Sequence, residues 1–145
     1  MTLYLLDTDT LSLFWRGHPE VTHRLGHASR EELAITIVTV EEVLFGWQDQ
    51  TRRARTDAER VRAYQYLADS VPFLASFRII SYDEASLARL AELRALKLNL
   101  GAMDTRIGAI AQEKNAVVVT RNQRDFSRIP RLRIEDWSQP EVSGA

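Results

Sequence analysis

Apolar residues along this chain fall into two alternating patterns, short unbroken runs and longer stretches with a helical repeat. Leu3 to Leu6 is an apolar run that ends at Asp7, Leu33 to Val38 carries Ile35, Ile37 and Val38, and Phe77 to Ile80 is a third run. Ala116 to Thr120 contains three consecutive valines, and a last short run lies near Leu132 to Ile134. Runs this short, bounded by polar residues, are what strands buried on both faces of a parallel sheet require. Between them the apolar positions recur every three or four residues. Thr8 or Asp9 is placed to cap a helix that carries Leu11, Leu13, Phe14 and Trp15 and stops near Gly17. Pro19 suits the first turn of a second helix over residues 19 to 29. Thr39 is placed to cap a third, with Glu41 and Glu42 in its first turn, where carboxylates favour the helix dipole. Residues 47 to 56 are polar and Arg-rich and read either as an extension of that helix or as a loop. Residues 57 to 76 carry Val61, Tyr64, Leu67 and Ala68 at helical spacing, and residues 83 to 98 turn Leu87, Leu90, Ala91 and Leu93 toward the core. Asn99, Leu100 and Gly101 break that helix, and residues 102 to 114 form another with Ile107, Ile110 and Ala111 inward. A short helical turn is expected over residues 123 to 126.

Strands alternating with helices predict an α/β fold: one domain over residues 1 to 137, with a mainly parallel central sheet flanked by helices. Residues 138 to 145 read as a loose tail. Composition narrows the chemistry. The chain has no Cys, which excludes disulfides and thiolate metal sites and suits a reducing compartment. The N-terminus lacks the features of a signal peptide, and no apolar run approaches the roughly 20 residues that cross a bilayer, so a cytoplasmic protein without a membrane partner is expected. The net charge is only −1, so any nucleic-acid partner must be met by local basic patches. All basic residues except Lys97 and Lys114 are Arg, whose planar donor fork suits phosphate; a solvated surface accounts for the same bias.

In an open α/β sheet, ligands bind beyond the carboxyl ends of the strands. Asp7 ends the first strand, Glu42 follows the second, and Asp125 follows the valine strand. Asp104 lies near the start of the helix leading into that strand, with Ile107, Ile110 and Ala111 placing it on or beside the buried stripe. An acid there must be paired, hydrogen-bonded or bound to metal. Four carboxylates converging on one cleft repel each other, and their hard oxygens suit Mg2+ or Mn2+. Such an ion polarises a phosphodiester and activates water without a protein nucleophile.

At these residues the chain resembles PIN-domain nucleases and, within them, VapC-type toxins of toxin–antitoxin pairs. The segments that carry the resemblance are Leu-Leu-Asp-Thr-Asp-Thr-Leu-Ser (5 to 12), Thr-Val-Glu-Glu-Val-Leu-Phe-Gly (39 to 46), Gly-Ala-Met-Asp-Thr-Arg-Ile-Gly-Ala-Ile-Ala (101 to 111), Val-Val-Thr-Arg-Asn-Gln-Arg-Asp-Phe-Ser-Arg-Ile-Pro (118 to 130) and the closing Leu-Arg-Ile-Glu-Asp-Trp (132 to 137). The resemblance implies a small α/β endoribonuclease that needs Mg2+ or Mn2+, cleaves RNA with activated water, forms a homodimer and is inhibited by a small antitoxin protein. It places the family's four acids, as catalytic and metal-holding residues, on Asp7, Glu42, Asp104 and Asp125, choosing Glu42 over Glu41 because Gly46 follows four residues later. Thr120 and Asn122 match positions that support the fourth acid. Gly108, where Ala is more usual, and Arg131, where Gly is common, depart from the pattern.

Several residues admit two readings. Asp9 is a helix cap or a support for the acids rather than a metal ligand. Arg121, Arg124 and Arg128 flank Asp125 and are candidate RNA contacts. Arg52, Arg53, Arg55, Arg60 and Arg62 form a basic run, which serves an RNA backbone, an antitoxin, or simply a solvated face paired with Asp57 and Glu59. Trp47 packs in the core or a dimer, or stacks a base. His23 and His27 have the four-residue spacing of a metal pair, but no nearby Glu completes a protease motif, so they read as surface residues; His18 reads as a turn residue. Two rival functions stand beside the nuclease. A haloacid-dehalogenase-like phosphatase would use Asp7 and Asp9, yet Leu11 occupies the place of that motif's Thr or Val, and neither Lys97 nor Lys114 sits near a matching motif. A catalytically silent partner-binding PIN protein would have no need of all four acids.

Overall fold

The apolar runs become three- and four-residue strands: β1 (Tyr4–Leu6), β2 (Leu33–Thr36), β3 (Arg78–Ile80), β4 (Val117–Val119) and β5 (Arg133–Glu135). In the computed structural model, which describes residues 1–141, they form one sheet in the order β3-β2-β1-β4-β5. Every adjacent pair is parallel, with Tyr4 opposite Leu33 on one side and Val117 on the other. Parallel neighbours require crossovers, and helices supply them. These are α1 (Thr8–Trp15), α2 (Pro19–His27), α3 (Ile37–Arg53), α4 (Asp57–Ala75), α5 (Glu84–Ala95), α6 (Ala102–Glu113) and α7 (Gln123–Phe126).

Alternation along each strand splits the core in two. Leu5, Ala34 and Val118 face one side, where Leu90, Ile107, Ile110 and Phe126 pack against them. Leu6, Ile35 and Val119 face the other, against Leu11, Val21, Leu25 and Trp137. The chain leaves β1 toward β2 on one side and returns to β4 on the other, so the strand order reverses beside β1. That reversal opens a crevice at the carboxyl ends of β1 and β4.

Local details depart from the sequence pattern. Asp7, not Thr8 or Asp9, caps α1: its side chain accepts from Thr10 N. β2 stops at Thr36, and Ile37 and Val38 open α3 instead of extending the strand. The cap is Thr36, whose Oγ1 accepts from Thr39 N at 3.2 Å, so Glu41 and Glu42 fall in the second turn, beyond the orphan amides of the first. A well-placed cap outweighs the strand preference of an Ile-Val pair. α3 runs unbroken through Arg53, which settles residues 47–53 as helix.

α4 lies along α3 and turns Ala63, Ser70 and Leu74 inward, leaving Val61 70% and Tyr64 56% exposed. In α5 the buried stripe is Ser86, Leu90 and Leu93, so Leu87 and Ala91 point outward. Gly108 answers to packing: a Cβ there would overlap Ile129 Cδ1. At the C-terminal end Ser138 is held by Asp136 and Glu141 reaches Arg24, whereas residues 142–145 of the expected tail lie outside the described residues.

Candidate active site

Asp7 follows β1 directly, and its amide donates to Val119 O at 3.1 Å, which keeps the residue in the plane of the sheet. Its Oδ1 accepts from Thr10 N at 2.8 Å, and Thr10 Oγ1 donates to Val119 O at 3.1 Å. The first turn of α1 is thereby laced to the end of β4. Asp7 is only 6% exposed. Burial pushes its carboxyl above the usual range, against hydrogen bonds from Thr120 and Thr10, and the charge of Asp9 adds to the rise.

Glu42 sits one turn further into α3, half-buried, on the face toward α1. Thr8 Oγ1 donates to its Oε1 at 2.7 Å and stands 3.3 Å from Thr39 Oγ1, so a threonine of α1 sets its position from across the cleft edge. Asp104 is the third residue of α6, a helix whose start has no side-chain cap. Its carboxyl is pushed up to about 6 by burial first, then by the charges of Asp7, Glu42 and Asp125; no hydrogen bond offsets the rise. Asp125, in α7, accepts from Asn122 Nδ2 at 2.9 Å and pairs with Arg128 Nη1 at 3.2 Å. Thr120 Oγ1 in turn accepts from Asn122 N at 2.9 Å.

Asp7, Glu42 and Asp104 therefore line one cleft of about 590 Å3 at the carboxyl edge of the sheet, together with Thr8, Asp9, Arg121 and Asn122. Asp125 does not line it but stands close enough for its charge to act on Asp104. The carboxylates surround the space rather than closing on one point: among the described residues no three His, Asp or Glu side chains form a closed metal site. That spacing, an oxygen-only donor set and an Asp104 carboxyl without a donor fit a hydrated hard cation, which takes one or two carboxylates and keeps its waters. They do not fit a protein cage.

The remaining sequence candidates divide. Asp9 neither caps α1 nor presses on Asp104; both its oxygens are held by Arg121, at 2.6 and 2.8 Å, which keeps its carboxyl below the usual range. Arg128 is tied to Asp125 and to Asn99 O at 3.0 Å, bracing the loop before α6. Arg124 is exposed and does not line the cleft. Arg52, Arg53, Arg55, Arg60 and Arg62 are all exposed around the α3–α4 turn, away from the cleft lining; Arg53 pairs with Asp49 at 2.8 Å and Arg60 with Asp57 at 3.0 Å. Trp47 stacks on Tyr66 with ring centroids 4.9 Å apart and lines an apolar groove beside the cleft, which shares Thr8, Ser12 and Glu42 with it. His23 and His27 are exposed on α2, and His18 caps that helix. The role of Thr8 in holding Glu42 had no signal in the sequence, because the partners lie 34 positions apart. No described helix is long and apolar enough to cross a membrane.

The PIN domain family model matches residues 4–132. The chain is 27% identical over 141 residues to the tRNA(fMet)-specific endonuclease VapC of Salmonella typhimurium, covering 94% of this chain and 99% of that one. It is 25% identical over 142 residues to ribonuclease VapC2 of Haemophilus influenzae, with 94% and 99% covered. Among solved structures it resembles DNA-bound VapBC from Salmonella typhimurium, with a TM-score of 0.78, 27% identity and coverage of 94% and 99%.

Proposed function

The chain belongs to the PIN domain family, and from that membership we propose that it is a divalent-metal-dependent endoribonuclease acting as the toxin of a toxin–antitoxin pair. The observation that carries this reading is the cleft lined by Asp7, Glu42 and Asp104, with Asp125 at its margin, at the reversal of a parallel sheet. The Salmonella and Haemophilus relatives bear the names of an endonuclease and a ribonuclease, which supports RNA as the substrate. A relative solved as VapBC supports a small antitoxin protein as the partner. A homodimer in the cytoplasm completes the reading.

Asp7, Glu42, Asp104 and Asp125 are the residues that would hold Mg2+ or Mn2+. When bound, the ion supplies positive charge and Lewis acidity toward water and a phosphodiester. The chain's own residues prepare the site. Thr10 N fixes the Asp7 carboxylate, Thr8 fixes that of Glu42, and Asn122 fixes that of Asp125. Asp104 stays unpaired, and its raised affinity for a proton makes it the carboxylate with most to gain from a cation. A phosphatase using Asp7 and Asp9 has less support, since the Asp9 carboxylate that would serve as the acid lies in the fork of Arg121.

The test is cleavage of total cellular RNA by the purified protein, freed of any copurifying inhibitor and supplied with Mn2+. Fragments are expected with the native chain, and none in EDTA or with Asp104→Asn. Undiminished cleavage by Asp104→Asn would refute the assignment.

A further inference from the structure

An RNA strand must bring its phosphates to a mouth already lined by Asp7, Glu42 and Asp104. A cation held inside answers the charge of the acids, but something at the lip has to receive the polyanion. Among the described residues, one basic side chain lines this cleft, that of Arg121. Of the other arginines nearby, Arg128 is engaged by Asp125 and Asn99, Arg124 is exposed and does not line the cleft, and Arg16 lines the adjoining groove, where its Nη2 donates to Ser12 Oγ at 3.1 Å.

Arg121 is also the one whose orientation is set. Its Nε donates to Asp9 Oδ2 at 2.6 Å and its Nη2 to Asp9 Oδ1 at 2.8 Å, across 112 positions of the chain. The two side chains are 48% and 47% exposed, and exposed pairs contribute little to stability, so holding the fold together does not explain a short bidentate contact at this place. Its geometric consequence is specific. A guanidinium has five N–H donors. With two directed at Asp9, three remain, and two of these, one on Nη1 and one on Nη2, form the outer edge, a second fork suited to phosphate oxygens. Asp9 itself lies in the first turn of α1, two residues from Asp7. The orientation of the fork is thus referred to the same turn that carries the innermost acid.

We propose that Asp9 and Arg121 form a built-in phosphate clamp, in which Asp9 is a positioning residue that presents the free edge of Arg121 to a non-bridging oxygen of the RNA backbone at the cleft mouth. The identity of the polyanion rests on the ribonuclease reading above; the orientation of the fork does not.

The clamp is tested by binding a fluorescent single-stranded RNA of about a dozen nucleotides in EDTA over a range of salt concentrations, with cleavage measured separately in Mn2+. Removing one phosphate contact to a single strand lowers the slope of log K against log salt by about 0.7. That loss is expected for Arg121→Ala and not for Arg121→Lys, which keeps the charge. In cleavage, Arg121→Ala is expected to raise KM about tenfold or more, consistent with a lost charge-assisted contact, with an unchanged melting temperature. Asp9→Asn should lower kcat/KM in the native background and have no further effect once Arg121 is Ala. An unchanged salt slope in Arg121→Ala, or effects of the two substitutions that simply add, overturns the clamp and leaves the ribonuclease reading standing. Absence of Mn2+-dependent cleavage by the native protein overturns the ribonuclease reading, and the salt slopes still decide the clamp. A native protein that binds no RNA in EDTA and cleaves none in Mn2+ removes both.

Discussion

Thr8 Oγ1 donates a 2.7 Å hydrogen bond to Glu42 Oε1, and this one contact sets the α3 carboxylate against the first turn of α1. Thr39 Oγ1, 3.3 Å from the same hydroxyl, extends the link to the buried start of α3. Replacing Thr8 by Val keeps the shape and removes the donor. Partners that orient a metal-holding carboxylate are typically worth 10- to 100-fold in metal affinity or activity, so Thr8→Val is expected to lower RNA cleavage about tenfold. Its stability cost is that of one ordinary hydrogen bond, about 1 kcal/mol. Cleavage rates and thermal melts of the two proteins, measured side by side, separate these effects.

Asp104 carries a pH signature. Its carboxyl is pushed up to about 6 by burial and by Asp7, Glu42 and Asp125. The folded chain therefore holds a proton that the unfolded chain releases nearer pH 3.8, and stability falls as pH rises through that interval. Above about pH 6 the full penalty is present, and below the unfolded value it is gone. In EDTA, Asp104→Asn is expected to be more stable than the native chain by about 1 kcal/mol at pH 7, after discounting for the solvent-exposed part of the group. The two should converge near pH 4. Adding Mn2+ should reverse the order at pH 7, because the native chain gains a ligand that the variant holds less well. That gain should shrink at pH 5, where protons compete for the same oxygens. Melting temperatures at three pH values, with and without Mn2+, check the whole pattern.

Gly108 faces Ile129, which is 2% exposed and has little room to move. An Ala at 108 gains about 1 kcal/mol in helix propensity but overpacks the contact, which typically costs 1–3 kcal/mol. Gly108→Ala is therefore expected to lower stability by about 1 kcal/mol. Ile129→Val removes the overlapping methyl and alone costs about 0.5–1.5 kcal/mol. Together the two substitutions should come within about 0.5 kcal/mol of the native chain, a strongly non-additive pair. Denaturant unfolding of the four proteins tests this.

The strands were legible because both faces of this sheet are covered. Tyr4–Leu6, Leu33–Thr36 and Val117–Val119 had to be nearly continuous apolar runs, and no alternation competed with that signal. The place of Asp7 at the end of β1 came with them. Glu42 came from the family resemblance, whose pattern sets Gly46 four residues later, even though the expected helix start lies three residues beyond the observed one. The pattern could not tell a Thr36 cap from a Thr39 cap when the residues between them, Ile37 and Val38, suit a strand equally well. The inward face of α4 does not follow the apolar spacing of its sequence, for a different reason. That helix packs mainly on α3, and a helix covered along one narrow stripe leaves large apolar residues such as Val61 and Tyr64 outside it. The Asp9–Arg121 and Thr8–Glu42 pairs join residues 112 and 34 positions apart, a distance over which periodicity carries no information.

The most direct test of the carboxylate site is a calorimetric Mn2+ titration of the inhibitor-free protein at pH 7, repeated with Asp104→Asn and Asp7→Asn. Saturable binding to the native chain, weakened at least tenfold in each variant while both remain folded, is expected if these oxygens hold the cation. Native-like affinity in both variants, or no binding to the native chain at all, would contradict it.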